Sequence, residues 1–186
     1  PYKVYDATEK KYFREGNTIL TVKTKGDKVM LQRFDATTMD ELAANEFEDF
    51  QRGYALEEVR KFGKKLYLFY SVYDKDNETE QLFSREINID NARFVSEGHL
   101  ILKVTHKLTG DFGSSETRIP ASMYAFSFGI RNKFSFYCSS DSSKVLIKYR
   151  LKPEFKDDAK SYDKIGIHVF DQAMNEIWAT VSEMPY

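Results

Sequence analysis

Three histidines, one cysteine and 29 acidic residues are the side chains of this 186-residue chain with the widest chemical reach. His99, His106 and His168 share no His-x-x-x-His spacing and Cys138 has no Cys-x-x-Cys partner, so a zinc site would have to be assembled from scattered residues. His168 alternates with Ile167 and Val169 and reads as an outward or internally satisfied strand residue. Cys138 sits in a Phe- and Tyr-rich run and reads as a small buried hydrophobe; a thiol nucleophile would need a base that the sequence does not identify. There is no Gly-x-Gly-x-x-Gly, Walker loop or Gly-x-Ser-x-Gly elbow. Carboxylates are plentiful enough for a glycosidase-type pair. Yet the conspicuous ones, Asp35, Asp141 and Asp171, each stand where a turn needs an Asx side chain. The clusters Glu46-Phe47-Glu48-Asp49 and Asp74-Lys75-Asp76-Asn77-Glu78 offer oxygens suited to calcium, but they lack EF-hand spacing and read as solvated turns. Tyr67–Tyr73 and Arg131–Tyr137 interleave aromatic and basic residues. Such stretches can stack bases or sugars, but in an alternating strand they form one core face and one solvated face. No catalytic, cofactor-binding or metal-binding residue is assigned on these grounds.

The elements that must position these groups are short. Runs such as Thr18–Thr24, Val29–Phe34, Lys65–Tyr73, Gln81–Ile87 and His99–Thr105 are alternating or apolar and rich in β-branched and aromatic residues. Lys133–Cys138, Lys144–Tyr149, Lys164–Phe170 and Glu176–Val181 continue the pattern, which is the strand signature. The joins Lys25-Gly26-Asp27-Lys28, Asp74-Lys75-Asp76-Asn77 and Ser139–Ser143 suit tight antiparallel turns. With 15 Phe and 12 Tyr, the composition favours pleated, half-buried surfaces. The segment Leu108–Ser122, with Gly110, Gly113 and Pro120, reads as a long loop or insertion.

The 28 basic and 29 acidic residues leave a formal net charge of -1, so steering onto nucleic acid is not expected. No apolar run approaches the roughly 18 residues of a membrane span, and no membrane insertion is expected. A single cysteine excludes an intrachain disulfide framework. The opening Pro1-Tyr2-Lys3-Val4-Tyr5 is not a signal peptide, and the chain reads as a mature product or a piece of a longer one.

Two distant segments match. Phe34-Asp35, a short link and Met39-Asp40-Glu41-Leu42 parallel Phe170-Asp171, a link one residue shorter and Met174-Asn175-Glu176-Ile177. A weaker third copy is Ile87–Phe94. The recurring unit is a strand, an Asp-initiated turn and a return strand. Thr38–Phe47 has helix formers and a possible capping Thr, but the repeat makes Glu41–Phe50 a return strand. Repeated small sheets indicate a propeller or another β array. The expected units are approximately residues 1–53, 54–98 and 99–186.

Phe136-Tyr137-Cys138-Ser139-Ser140-Asp141-Ser142-Ser143-Lys144-Val145-Leu146-Ile147 resembles the F-S-P-D-G-S-K-I strand–turn–strand of TolB/WD40-like (PD40) propeller repeats, with Ser140 for the usual Pro and Ser142 for the usual Gly. The closing run from Gly166 to Tyr186 is similar to kelch-type blades and to propeller regions of exported Bacteroidetes-type proteins. Tyr67–Ser71, Asp74-Lys75 and Leu82-Phe83 fit the latter group as well. The resemblance implies an all-β, antiparallel set of propeller blades, exported to the periplasm or cell surface; a β-sandwich is the alternative fold. The implied function is a non-catalytic interaction platform or scaffold, partnered by another protein or by further blades of the same chain. The alternative is a carbohydrate-active enzyme or lectin. Two or more carboxylates converging in a concave pocket, about 5–10 Å apart, would separate them, because the platform reading expects turn carboxylates bonded to backbone and no such pair.

Overall fold

A computed structural model describes residues 6–109, 133–152 and 162–184. The fold is all-β, and every strand pairing is antiparallel. No helix occurs among the described residues, so none is long and apolar enough to cross a membrane.

The first sheet is a meander of β1 (Glu9–Glu15), β2 (Thr18–Lys25), β3 (Lys28–Asp35) and β4 (Glu41–Phe47), in that order. Two-residue loops suit such hairpins, and Gly26 turns the chain between β2 and β3 at a φ of 59°, where a side chain would be strained. Within Thr38–Phe47 the chain forms the strand Glu41–Phe47 and no helix, so the expected return strand Glu41–Phe50 ends at Phe47.

The second sheet runs β5 (Ala55–Phe62), β6 (Lys65–Asp74), β7 (Thr79–Asn88). Its fourth position is filled twice along β7: β8 (Arg93–Phe94) pairs at Ile87-Asn88, and β9 (His99–Val104) pairs at Glu80–Ser84.

The third sheet runs β12 (Lys144–Leu151), β13 (Asp163–Asp171), β14 (Glu176–Met184), with both β10 (Leu108–Thr109) and β11 (Phe134–Cys138) on the free side of β12. Pairing thus divides the described chain at 9–47, 55–104 and 108–184, with β9 in the second sheet rather than opening the third. Leu108–Thr109 is strand, not loop; residues 110–122 of the expected insertion lie outside the described residues.

Packing follows from alternation along β6. Leu66, Leu68 and Tyr70 join Leu20, Val22, Val29 and Leu31 in a core shared with the first sheet. Tyr67 and Phe69 join Phe134, Phe136, Val145 and Ile147 in a second core shared with the third. The second sheet therefore has no solvent face, which is why β6 reads as an unbroken apolar run. Each core-filling side chain contributes about 1.5–3 kcal/mol by leaving water.

The repeated turn recurs in all three sheets. Asp35 Oδ1 accepts from the amides of Thr37 and Thr38, and Asp171 Oδ1 from those of Ala173 and Asn175. In the second sheet the acceptor is Asn88, whose Oδ1 takes the amides of Asp90 and Asn91, rather than the expected aspartate. Each turn then passes a left-handed residue, Met39 (φ 61°), Ala92 (52°) or Met174 (62°), before the return strand.

Candidate functional site

The polar groups that meet deepest in the molecule lie between the second and third sheets. β5 carries a bulge: Leu56 faces Tyr70 across the ladder and Glu58 faces Phe69, leaving Glu57 as the extra residue. Val59 packs against the first-sheet core, while Arg60 and Phe62 point to the third sheet. Without the bulge Glu57 would share the side of Val59; the extra residue re-aims it toward the third sheet. Ser71 on β6 and Glu80 on β7 share that side, by their spacing from Phe69 and Leu82.

These groups converge on the residue that leads into β11. Ser71 Oγ donates to Glu57 Oε1 at 2.6 Å, and the Lys133 amide donates to Glu57 Oε2 at 3.0 Å. Lys133 Nζ donates to Glu80 Oε1 at 2.7 Å. Glu57 and Glu80 are only 5% and 3% exposed. Burial pushes the Glu57 carboxyl up to about 7, against the lowering pull of the Ser71 hydroxyl, the Lys133 charge and the Lys133 amide, and with a further push from Glu80. One carboxyl near the pH of water and a second ion-paired to lysine form a set that can hold and pass a proton.

A second constellation is Tyr149, His168 and Glu176 on the third sheet. His168 Nε2 lies 3.1 Å from the Tyr149 hydroxyl, and Nδ1 lies 2.6 Å from Glu176 Oε2. Tyr149 reaches His168 by crossing its cross-strand neighbour Gly166, where a Cβ would stand 2.1 Å from Cζ, so only glycine admits the ring. Burial pushes the Tyr149 phenol up, and Glu176 adds to it. A polar groove of about 400 Å³ lies elsewhere, bordered by Glu15, Lys65, Glu86 and Asp90.

The residues singled out in sequence are dispersed. His168 is internally satisfied, whereas His99 is exposed and His106 meets only the Thr105 hydroxyl, at 3.2 Å, among the contacts seen. Cys138 is half-buried, with Arg60 Nη1 4.0 Å from its sulfur. Asp35, Asp141 and Asp171 bind turn amides, which hold all three carboxyls below the usual range; for Asp141 the Ser139 hydroxyl is the largest contributor. Ser142, standing where the resembled repeat has Gly, adopts a φ of 54°. The acidic clusters are tied up internally: Glu46 and Glu48 bind Lys28, Asp49 binds Arg85, and Asp74 caps its own turn. Among the described residues no group of three or more His, Cys, Asp or Glu is placed to hold a metal ion. Tyr67, Phe69 and Tyr70 are core, and Arg131 lies outside the described residues.

Glu57, Glu80 and Lys133 were not singled out in sequence. The one trace is the doubled Glu57-Glu58 between Leu56 and Val59: two residues three apart on one side of a strand require an extra residue between them.

No protein-family model and no curated protein matches the chain. Among solved structures it is similar to the crystal structure of endo-arabinase from Bacteroides thetaiotaomicron VPI-5482, at 10% identity and a TM-score of 0.49, over 95% of this chain and 60% of that one. The chain thus spans 60% of the length of that structure. The expectation of a non-catalytic platform is corrected here. Besides the turn carboxylates that reading allows, Glu57 and Glu80 meet on Lys133 in a buried seam between two sheets.

Proposed function

We propose that the chain is part of a carbohydrate-active enzyme, in which Glu57 is the proton-carrying acid and Glu80 its ionised partner. The observation that carries this reading is the convergence of the two carboxylates on Lys133, with Glu57 held protonated up to about pH 7. Cleavage of a glycosidic bond needs this division: an acid to protonate the leaving oxygen and a carboxylate on the other side of the sugar. Support for a blade arrangement comes from the edge strands. Lys11 of β1 lies 3.9 Å from Glu58 of β5, and Arg60 of β5 meets Cys138 of β11, so the leading strands of successive sheets approach one another, as blades about a propeller axis would.

The deep burial of both carboxylates favours a second reading, a lectin in which the cluster only pins the second sheet to the third. Glu57→Gln separates the two, because it keeps shape and one hydrogen-bonding oxygen while removing the proton. Hydrolysis of a panel of soluble polysaccharides, debranched arabinan and xylan among them, would be followed by release of reducing ends. The enzyme reading expects activity that Glu57→Gln lowers by about 10²–10⁴-fold with the fold intact, and that declines as pH rises above about 7. Hydrolysis unaffected by Glu57→Gln and Glu80→Gln overturns it, and glycan binding without hydrolysis selects the lectin.

A further inference from the structure

The strands that lead the first and second sheets meet in two charge contacts of unlike quality. One is a closed pair, in which Lys61 of β5 donates to Glu15 Oε1 of β1 at 2.5 Å. In the other, Lys11 Nζ of β1 stands 3.9 Å from Glu58 Oε1, and Arg60 Nη2 stands 3.9 Å from Glu58 Oε2. Both distances are too long for a hydrogen bond. A single carboxylate therefore faces two cations and closes on neither. That carboxylate is itself fixed, because Glu58 Oε1 accepts the Val59 amide at 2.9 Å.

The donors of both cations are largely unfilled. Among the described residues the Lys11 ammonium makes no hydrogen bond, and the five N–H groups of Arg60 meet only the Cys138 sulfur, a weak acceptor 4.0 Å from Nη1. The two side chains are 47% and 37% exposed, so a ligand from solvent can reach them. Lys11, Glu58 and Arg60 together carry one positive charge in excess, in a chain whose formal net charge is -1. The neighbouring Glu57 adds no opposing charge while burial keeps its carboxyl protonated. The bulge that sends Glu57 into the seam sets Glu58 directly after it, so the acid and the cation pair are carried by consecutive residues, with Cα atoms about 3.8 Å apart. A guanidinium offers a planar carboxylate two parallel N–H groups, and an ammonium adds a point charge.

We infer that Lys11 and Arg60 bind the carboxylate of a uronic acid residue, which makes the ligand of this site an acidic polysaccharide. The inference rests on the carbohydrate-active reading for the sugar and on the two cations for its acid group. Glu58 is a positioning residue, holding both cations beside Glu57 without filling their donors.

Native electrophoresis through gels containing polygalacturonate, debranched arabinan or dextran sulfate tests it. The parent protein would be compared with Lys11→Gln, Arg60→Gln, Arg60→Lys and, as a charge control in an exposed turn, Lys75→Gln. The expected result is retardation by polygalacturonate that exceeds retardation by either other polymer. Lys11→Gln and Arg60→Gln should each weaken it by roughly 3–10-fold, and Lys75→Gln should leave it unchanged. Arg60→Lys, which keeps the charge and loses the fork, should recover only part of the loss. If Arg60→Gln disturbs the fold, Lys11→Gln on the exposed edge strand decides alone. No retardation by polygalacturonate, equal retardation by dextran sulfate, or binding that neither substitution weakens overturns the inference. Failure of the carbohydrate-active reading looks different, because hydrolysis would then be untouched by Glu57→Gln whatever polygalacturonate does. Hydrolysis lost in Glu57→Gln, together with no polygalacturonate binding, removes the uronate site and leaves the acid in place.

Discussion

The second sheet is walled on both sides, and its two seams solve the burial of charge in opposite ways. Toward the first sheet the core is mainly aliphatic, and the buried Arg85 guanidinium is partnered at all three nitrogens. Arg85 makes two 3.0 Å bonds to Asp49, donates to the Ser96 carbonyl, and lies 4.8 and 4.1 Å from the Phe50 and Phe94 ring centroids. Toward the third sheet the core is more aromatic, with Phe69 and Phe136 at 4.7 Å, and it encloses the Glu57–Lys133–Glu80 set. Asp49 keeps half its side chain in water, so pairing lowers its proton affinity; Glu57 has no such access, so burial raises it. The same residue class has been pushed in opposite directions by where the seam leaves its oxygens. A carboxyl held against its ordinary charge state is an expense that packing alone does not require, which makes the second seam the chemically suggestive one.

The largest expected effect separates the seams mechanically. Phe69→Ala should destabilise the fold by about 3–5 kcal/mol and Leu68→Ala by about 2–5 kcal/mol, since both are fully buried on opposite sides of β6. Amide exchange should rise first in β11–β13 for Phe69→Ala and in β2–β3 for Leu68→Ala. Identical exchange patterns would show that the two seams are one cooperative unit and dissolve the comparison.

The next effect is a difference of sign with pH. Glu57 has a folded pKa above its ordinary 4.5, so its contribution is fully present below about 4.5 and is lost as pH rises through about 7. The shift corresponds to a loss on the order of 3 kcal/mol. Asp49 has a lowered pKa, so its contribution is present above its ordinary 3.8 and is lost as pH falls through the folded value. Solvent screening keeps that effect under about 1 kcal/mol. Denaturant melts of Glu57→Gln should lose the decline between pH 4.5 and 7, and those of Asp49→Asn should lose the acid-side decline. A decline on the neutral side that Glu57→Gln leaves untouched would remove Glu57 from the account.

Much of this architecture is legible from local pattern. The strands β2, β3, β6, β7 and β9 follow from alternation, and β4 from its likeness to the Phe170–Ile177 segment, against a helix-forming composition. β1 and β5 are less visible. β1 is Glu9-Lys10-Lys11-Tyr12-Phe13-Arg14-Glu15, a mostly exposed edge strand whose charges blunt pairing and mask its period. β5 holds a bulge that breaks alternation where Glu57 stands. The carboxylate cluster was out of reach for a further reason: Lys133 is 76 residues from Glu57 and meets it only because the third sheet stacks on the second. Beyond the doubled Glu57-Glu58 that marks the bulge, neither the perturbed acid nor its partner carries a spacing signal, because the cause is burial supplied from far along the chain.

The smallest expected effect tests whether the recurrent turn acid is purely structural. Asp171 Oδ1 accepts two backbone amides, as Asp35 does in the first sheet, and Asn175 Nδ2 donates to Asp171 Oδ2 at 3.1 Å. In the second sheet Asn88 fills the equivalent place with a side-chain carbonyl in the same role. The geometry therefore requires an acceptor oxygen, not a charge. Asp171→Asn should melt close to the parent protein, losing only the extra bond from Asn175, whereas Asp171→Ala should melt measurably lower because two turn amides lose their acceptor. The left-handed Met174, which closes the turn, should keep its conformation in the Asn variant and be released in the Ala variant, visible as faster exchange of the Asn175 amide. If Asp171→Asn abolished hydrolysis while leaving the melt unchanged, the carboxylate would be acting on substrate. The chemical centre would then lie in the turn rather than between the second and third sheets.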